Sequence, residues 1–99
     1  MNLSFHDWIA DDLTEGFRFY EEQDVGLGEY FLESIVGDAR SLGKTAGIHR
    51  KVYGYHRKLG TIFPFGIYYS VTGEEVLVFA ILDQRSEPSW IRDELNGRS

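Results

Sequence analysis

Two periodicities divide this chain. In residues 9 to 42 the apolar positions fall three and four apart, as on one face of a helix, whereas from residue 65 onward they alternate or run together as in strands. Ile9, Leu13, Phe17 and Tyr20 mark a buried stripe behind Asp7, a residue able to cap the helix, and the acids of this segment fall mostly on the opposite face. Asp24-Val25-Gly26 interrupts the pattern. A second helix is predicted from about Leu27 to Leu42, with Leu27, Phe31, Ile35 and Ala39 or Leu42 turned inward and Gly43 as its stop. So short a connection makes the pair an antiparallel helical hairpin. Ahead of it, Leu3 to Phe5 is a short strand candidate.

The second half predicts a sheet. A Gly-, Lys-, Thr- and Ala-containing loop from Gly43 to Gly47 leads into a strand from roughly Arg50 to Leu59. Its alternation is poor: Val52, Gly54, His56 and Lys58 would share one face and Tyr53, Tyr55, Arg57 and Leu59 the other, which points to a sheet edge or a bulge at Gly54. Phe65, Ile67, Tyr69 and Val71 then alternate with Gly66, Tyr68 and Ser70, and Thr72-Gly73-Glu74-Glu75 turns the chain into the run Val76 to Leu82. That is an antiparallel hairpin, with Pro64 at the strand start where its missing donor costs little. Pro88 and Ser89 introduce a last helix, Trp90 to Leu95, closed by Asn96-Gly97. The order is β-α-α-β-β-β with a short C-terminal helix, an α+β fold in which a two-helix antiparallel hairpin packs on one face of a mainly antiparallel sheet.

Composition narrows the classes. Ninety-nine residues make one domain with a single core, and 42% apolar residues, including seven Phe, six Tyr and two Trp, supply it. No run approaches the length of a membrane span and the first residues lack a signal-peptide pattern, so a soluble, cytoplasmic protein is expected. With no cysteine, disulfides, thiol catalysis and cysteine-based zinc sites are excluded, and no cofactor is expected. The net charge of −6 hides an asymmetry: residues 11 to 38 carry nine acids against Arg18 alone, whereas residues 39 to 73 carry six bases and no acid. Arg40, Lys44, Arg50, Lys51, Arg57 and Lys58, with His49 and His56 among them, can form a positive surface for phosphate or an acidic partner. The plainer reading is an edge strand that carries Lys and Arg against sheet-to-sheet association.

Phe63-Pro-Phe-Gly-Ile-Tyr-Tyr69, a polar turn, an apolar strand and then Asp83-Gln-Arg-x-x-Pro-x-Trp90 resemble the toxins of the RelE/ParE superfamily, which belong to bacterial type II toxin–antitoxin systems. The likeness extends more weakly upstream through Asp12-Leu13, Phe19-Tyr20 and the basic strand before Phe63. It implies the same α+β fold and two alternative activities. One branch of the superfamily cuts messenger RNA on the ribosome, with Lys and Arg on the middle strands, often a His, and a C-terminal aromatic on which a base stacks. The other, the ParE toxins and plasmid stabilisation proteins, poisons DNA gyrase and is not known to need catalytic residues. The wording here is nearer to ParE. The resemblance implies a cognate antitoxin as partner, gyrase or the ribosome as target, and assembly as a homodimer or a toxin–antitoxin hetero-oligomer. The acidic helical hairpin departs from the usually basic family, which keeps a third reading open: a non-toxic member that only binds its partner.

If the chain is a nuclease, the candidates are His56, Arg57 and Arg85, since the reaction needs a base, an acid and cations around the phosphate. Gly66 stands where several ribonuclease members place an arginine. Candidate contacts to a partner or target are Arg50, Lys51, Arg57, Lys58, Tyr68, Arg85 and Trp90. Each has a plainer reading. Arg85 has Asp83, Glu87 and Asp93 within reach as ion-pair partners, and Trp90 next to Pro88 can plug the last helix onto the core. Tyr68 and Tyr69 point to opposite faces, so one is expected in the core and the other free. His49 and His56 are poorly spaced for a metal, and His6 is expected beside the first helix cap.

Overall fold

The computed structural model describes residues 1–98. It runs β1 (Asn2–Phe5), α1 (Ile9–Gln23), α2 (Leu27–Arg40), α3 (Leu42–Thr45), β2 (Lys51–Val52), β3 (Tyr55–Leu59), β4 (Phe65–Thr72), β5 (Glu75–Asp83) and α4 (Pro88–Arg98). One five-stranded sheet has the order β1-β5-β4-β3-β2, antiparallel except that β1 lies parallel to β5. The α+β architecture and the mainly antiparallel sheet are those expected from periodicity.

The helical hairpin forms where the spacing placed it. Phe31, Ile35 and Ala39 are buried along α2, and Tyr20 and Ile9 along α1. They meet Phe65, Ile67, Tyr69, Val76, Val78 and Ile81 on one face of the sheet. The two helices approach closely at Gly16, where a Cβ would strike the ring of Phe31. Their link is held from within: Gly26 adopts φ 92°, and the Glu21 carboxylate accepts the N–H groups of Gly26 and Gly28 at 3.0–3.1 Å.

Five local details differ from the expectation. The residue flanking α1 is Trp8, not Asp7, and no side chain caps it; His6 Nδ1 instead accepts the Trp8 N–H at 3.3 Å. Helix α2 ends at Arg40, and Gly43 lies inside the separate turn α3 because Leu42 must point into the core. The strand foreseen over 50–59 is a hairpin, β2–β3. Tyr53 and Gly54 both have positive φ, 54° and 89°, and form its two-residue turn, so Val52 pairs with Tyr55 and Lys51 with His56. The face assignment before the turn therefore inverts, and Lys51, not Val52, shares a face with His56. Helix α4 does not stop at Asn96-Gly97 but continues to Arg98, whose side chain is tied to Asp12.

The fifth difference concerns the second face of the sheet. Helix α4 covers it with Ile91 and Leu95 over Tyr68, Phe79, Ala80 and Leu82, a second core separate from that under the hairpin. Both Tyr68 and Tyr69 are consequently fully buried, and the expectation that one is free for a partner is overturned.

Candidate functional site

Strand alternation decides where the sequence candidates go. His56 pairs with Tyr69 and Lys58 with Ile67, on the helical-hairpin face, while Arg57 pairs with Tyr68, on the α4 face. His56 and Arg57 therefore project from opposite sides of β3. Arg85 follows β5 and is bound to Asp83 at 2.7 Å, with Tyr20 Oη at 3.4 Å and the Phe19 ring 5.2 Å below its guanidinium. Of the three carboxylates within its reach in sequence, Asp83 is the one it takes. Burial pushes the Asp83 carboxyl up, but the Arg85 side chain and backbone N–H together outweigh it and hold the carboxyl below its usual range. His56, Arg57 and Arg85 are thus three separate sites, and no single phosphate is placed to touch all of them.

Arg57 instead belongs to a network that the sequence did not reveal. Its Nη1 donates to Gln84 Oε1 at 3.0 Å, and Gln84 Nε2 donates to the Leu82 carbonyl at 3.0 Å and lies 3.2 Å from Tyr68 Oη. The amide of Gln84 fills the volume above Gly66, where an added Cβ would lie 2.6 Å from Gln84 Nε2. An arginine at 66 and Gln84 in this pose exclude each other. The space beside Gly66 is occupied by a neutral amide already engaged on both ends.

A groove of about 700 Å³ opens between α1, α4 and the end of β5. Strand β1 pairs only with residues 75–78 of β5, so the remainder of that edge faces this groove. Asp12, on the buried stripe of α1, closes part of it. Its Oδ2 accepts the Ile81 N–H at 2.9 Å, and its two oxygens take the Arg98 guanidinium at 2.8 and 2.5 Å. Arg98 also reaches Glu94 at 3.3 Å and lies over the Trp8 ring. The rest of the wall is apolar and acidic: half-exposed Phe19 and Trp90, with Asp11, Glu15 and Glu94 against Arg98 as the only base lining it. Trp90 is 47% exposed, so it forms a wall of the groove and not a plug in the core.

A third constellation lies at the opposite end, where β2 and β3 close the sheet. The Tyr69 hydroxyl accepts the Gly47 N–H at 3.0 Å and sits 2.5 Å from His49 Nδ1. That oxygen can donate its own proton to His49 Nδ1 or accept a second one from it, so the direction of this bond follows the His49 tautomer, and His49 Nε2 is left without a hydrogen bond inside the protein. His56 Nδ1 donates to the His49 carbonyl at 2.6 Å, and the His56 ring stacks on Tyr69. Burial, Lys58 and His56, in that order, lower the pKa of His49. Arg50 and Lys51 remain exposed and have no ion pair among the described residues.

Among the described residues, no group of three or more His, Asp or Glu is arranged to hold a metal, and no helix is long and apolar enough to cross a membrane. No family model and no curated protein matches the chain. Among solved structures, a chain of the chromosomal ParDE TA system from P. aeruginosa matches over 82% of this chain and 92% of its own, with a TM-score of 0.71 and 24% identity. The fold is that of the ParDE chain.

Proposed function

We propose that the protein is the toxin component of a ParDE-type toxin–antitoxin system, acts by binding a target protein such as DNA gyrase, and is neutralised by a cognate antitoxin. The observation that carries this reading is the ParE-like fold together with Gly66 in place of a catalytic arginine: the space beside it holds the neutral amide of Gln84, and Arg57 on the same face is engaged by that amide. A binding toxin has no need of His56, Arg57 and Arg85 at one point, and here they lie apart. Docking of the antitoxin fits the groove between α1 and α4, whose exposed Phe19 and Trp90 and acidic rim suit a segment of apolar and basic side chains.

The test uses purified protein in two assays. Inhibition of plasmid supercoiling by DNA gyrase, without cleavage of ribosome-bound messenger RNA, is the expected result. Cleavage that disappears in His56→Ala/Arg85→Ala would place the protein with the ribonucleases instead.

A further inference from the structure

The bases of residues 39 to 73 have no partner of opposite charge. All ion pairs among the described residues involve Arg85, Arg92 or Arg98. The β2–β3 hairpin and the backbone around Gly47 gather four of the unpaired groups on the helical-hairpin face, at the free edge of the sheet. His56 and Lys58 lie two residues apart on β3, so their side chains share a face about 7 Å apart. Lys51 pairs directly with His56, and His49 is fixed beside both by Tyr69.

The orientation of the two rings matters more than their number. Each His spends its Nδ1 on the protein: His49 on the Tyr69 hydroxyl, His56 on the His49 carbonyl. Each Nε2 is then left without a hydrogen bond inside the protein, and both imidazoles are only partly buried. Two ring nitrogens, the ammonium of Lys58 and the rim ammonium of Lys51 form a pocket with no carboxylate in it; because His56 Nδ1 carries the proton given to the His49 carbonyl, His56 Nε2 is an acceptor in the neutral ring and a donor in the imidazolium. Their mutual repulsion is already felt: Lys58 and His56 add to burial in lowering the pKa of His49. An anion with several oxygens offsets that repulsion and offers acceptors to both ammonium groups and to each ring Nε2 that carries a proton.

We propose that His49, His56 and Lys58, with Lys51 at the rim, form a binding site for a phosphate group. It requires neither the antitoxin nor the gyrase reading and lies on the opposite face of the sheet from Arg57 and Gln84. Phosphate suits it because its tetrahedral oxygens can meet donors arriving from two strands and a loop. The exposed Tyr53 at the hairpin tip offers a ring on which a base can stack if the phosphate belongs to a polynucleotide.

The experiment is a titration of the full chain followed by the imidazole resonances, with inorganic phosphate, a short single-stranded RNA, and chloride at matched ionic strength. His6, stacked on Trp8 against the other core, is an internal reference. The expected result is a saturable shift of His49 and His56 with phosphate and not with chloride, while His6 stays still. Lys58→Gln, which removes a side chain with no internal partner, should weaken the affinity about tenfold, and Lys51→Gln by less. Saturation at far lower RNA than phosphate concentration would identify a polynucleotide backbone as the source, and equal concentrations a free phosphate. If His49 and His56 do not shift, shift only as His6 does, or respond equally after Lys58→Gln in a variant with unchanged melting, the proposal is overturned.

Discussion

Asp12 offers the sharpest energetic test of how the C-terminal helix is held. Its carboxylate side chain is 5% exposed and that of Arg98 11%, so water screens neither. Asp12→Ala removes the main partner of a buried guanidinium and the acceptor of the Ile81 N–H. Breaking a buried pair from one side costs about 3 to 5 kcal/mol. The lower figure applies here, because Arg98 ends α4 and can swing toward water while keeping Glu94. About 3 kcal/mol corresponds to a melting temperature lower by about 12 to 24 °C in a domain of this size. Arg98→Met should cost a comparable amount, since it strands the Asp12 carboxylate in a low-dielectric place. The double variant should lose less than the two singles together, leaving a coupling of about 2 kcal/mol in urea unfolding. Single losses that add to within about 0.5 kcal/mol would show that the pair does not act as a unit, and the account of α4 anchoring would fail.

Other substitutions read out separate parts of the fold. Gly16→Ala places a methyl group inside the fully buried Phe31 ring contact, and overpacking should destabilise the protein by about 1 to 3 kcal/mol in chemical denaturation. Gly66→Ala meets chiefly the end of the Gln84 side chain, with the Tyr68 ring at 3.1 Å, so it should cost less than Gly16→Ala while releasing Arg57 from Gln84, visible as a changed Arg57 Nε resonance. Tyr53→Asn, at φ 54° in a two-residue hairpin turn, should raise stability by about 0.5 kcal/mol, seen as a higher melting temperature. Because the folded state lowers the His49 pKa, the unfolded chain binds more protons as pH falls below about 6.5. The stability contribution of a neutral His49 is thus present above that pH and lost as pH falls toward the folded value; a melting temperature measured from pH 7.5 to 5.5 should drop less in His49→Gln than in the wild type.

What the sequence made legible was whatever repeats. The stripe Ile9–Tyr20 and the run Phe31–Ile35–Ala39 announce their faces, and the Phe65–Leu82 hairpin is written in alternation. Asp12 also left a trace: with Ile9, Gly16 and Tyr20 it falls at positions that belong to the buried side, where a carboxylate must have a partner. Its partner, Arg98, carries no signal, since Asn96-Gly97 reads as a stop, whereas the buried Leu95 and the ion pairs of Arg98 with Asp12 and Glu94 keep the helix going. The Tyr53-Gly54 turn is hidden in the sequence because Tyr rarely accepts positive φ, and that turn inverts the faces of β2 relative to a continuous strand. Gln84 likewise carries no local signal: its role arises from the space left by Gly66 on a neighbouring strand, a pairing that no local pattern encodes.

The central proposal, that this protein stops growth by binding a target and not by cutting messenger RNA, is tested most directly by incorporation of labelled thymidine and labelled methionine in pulses after it is switched on in a bacterial host that lacks any cognate antitoxin. The account predicts that thymidine incorporation falls first. An early fall of methionine incorporation, or no fall in either, would contradict it.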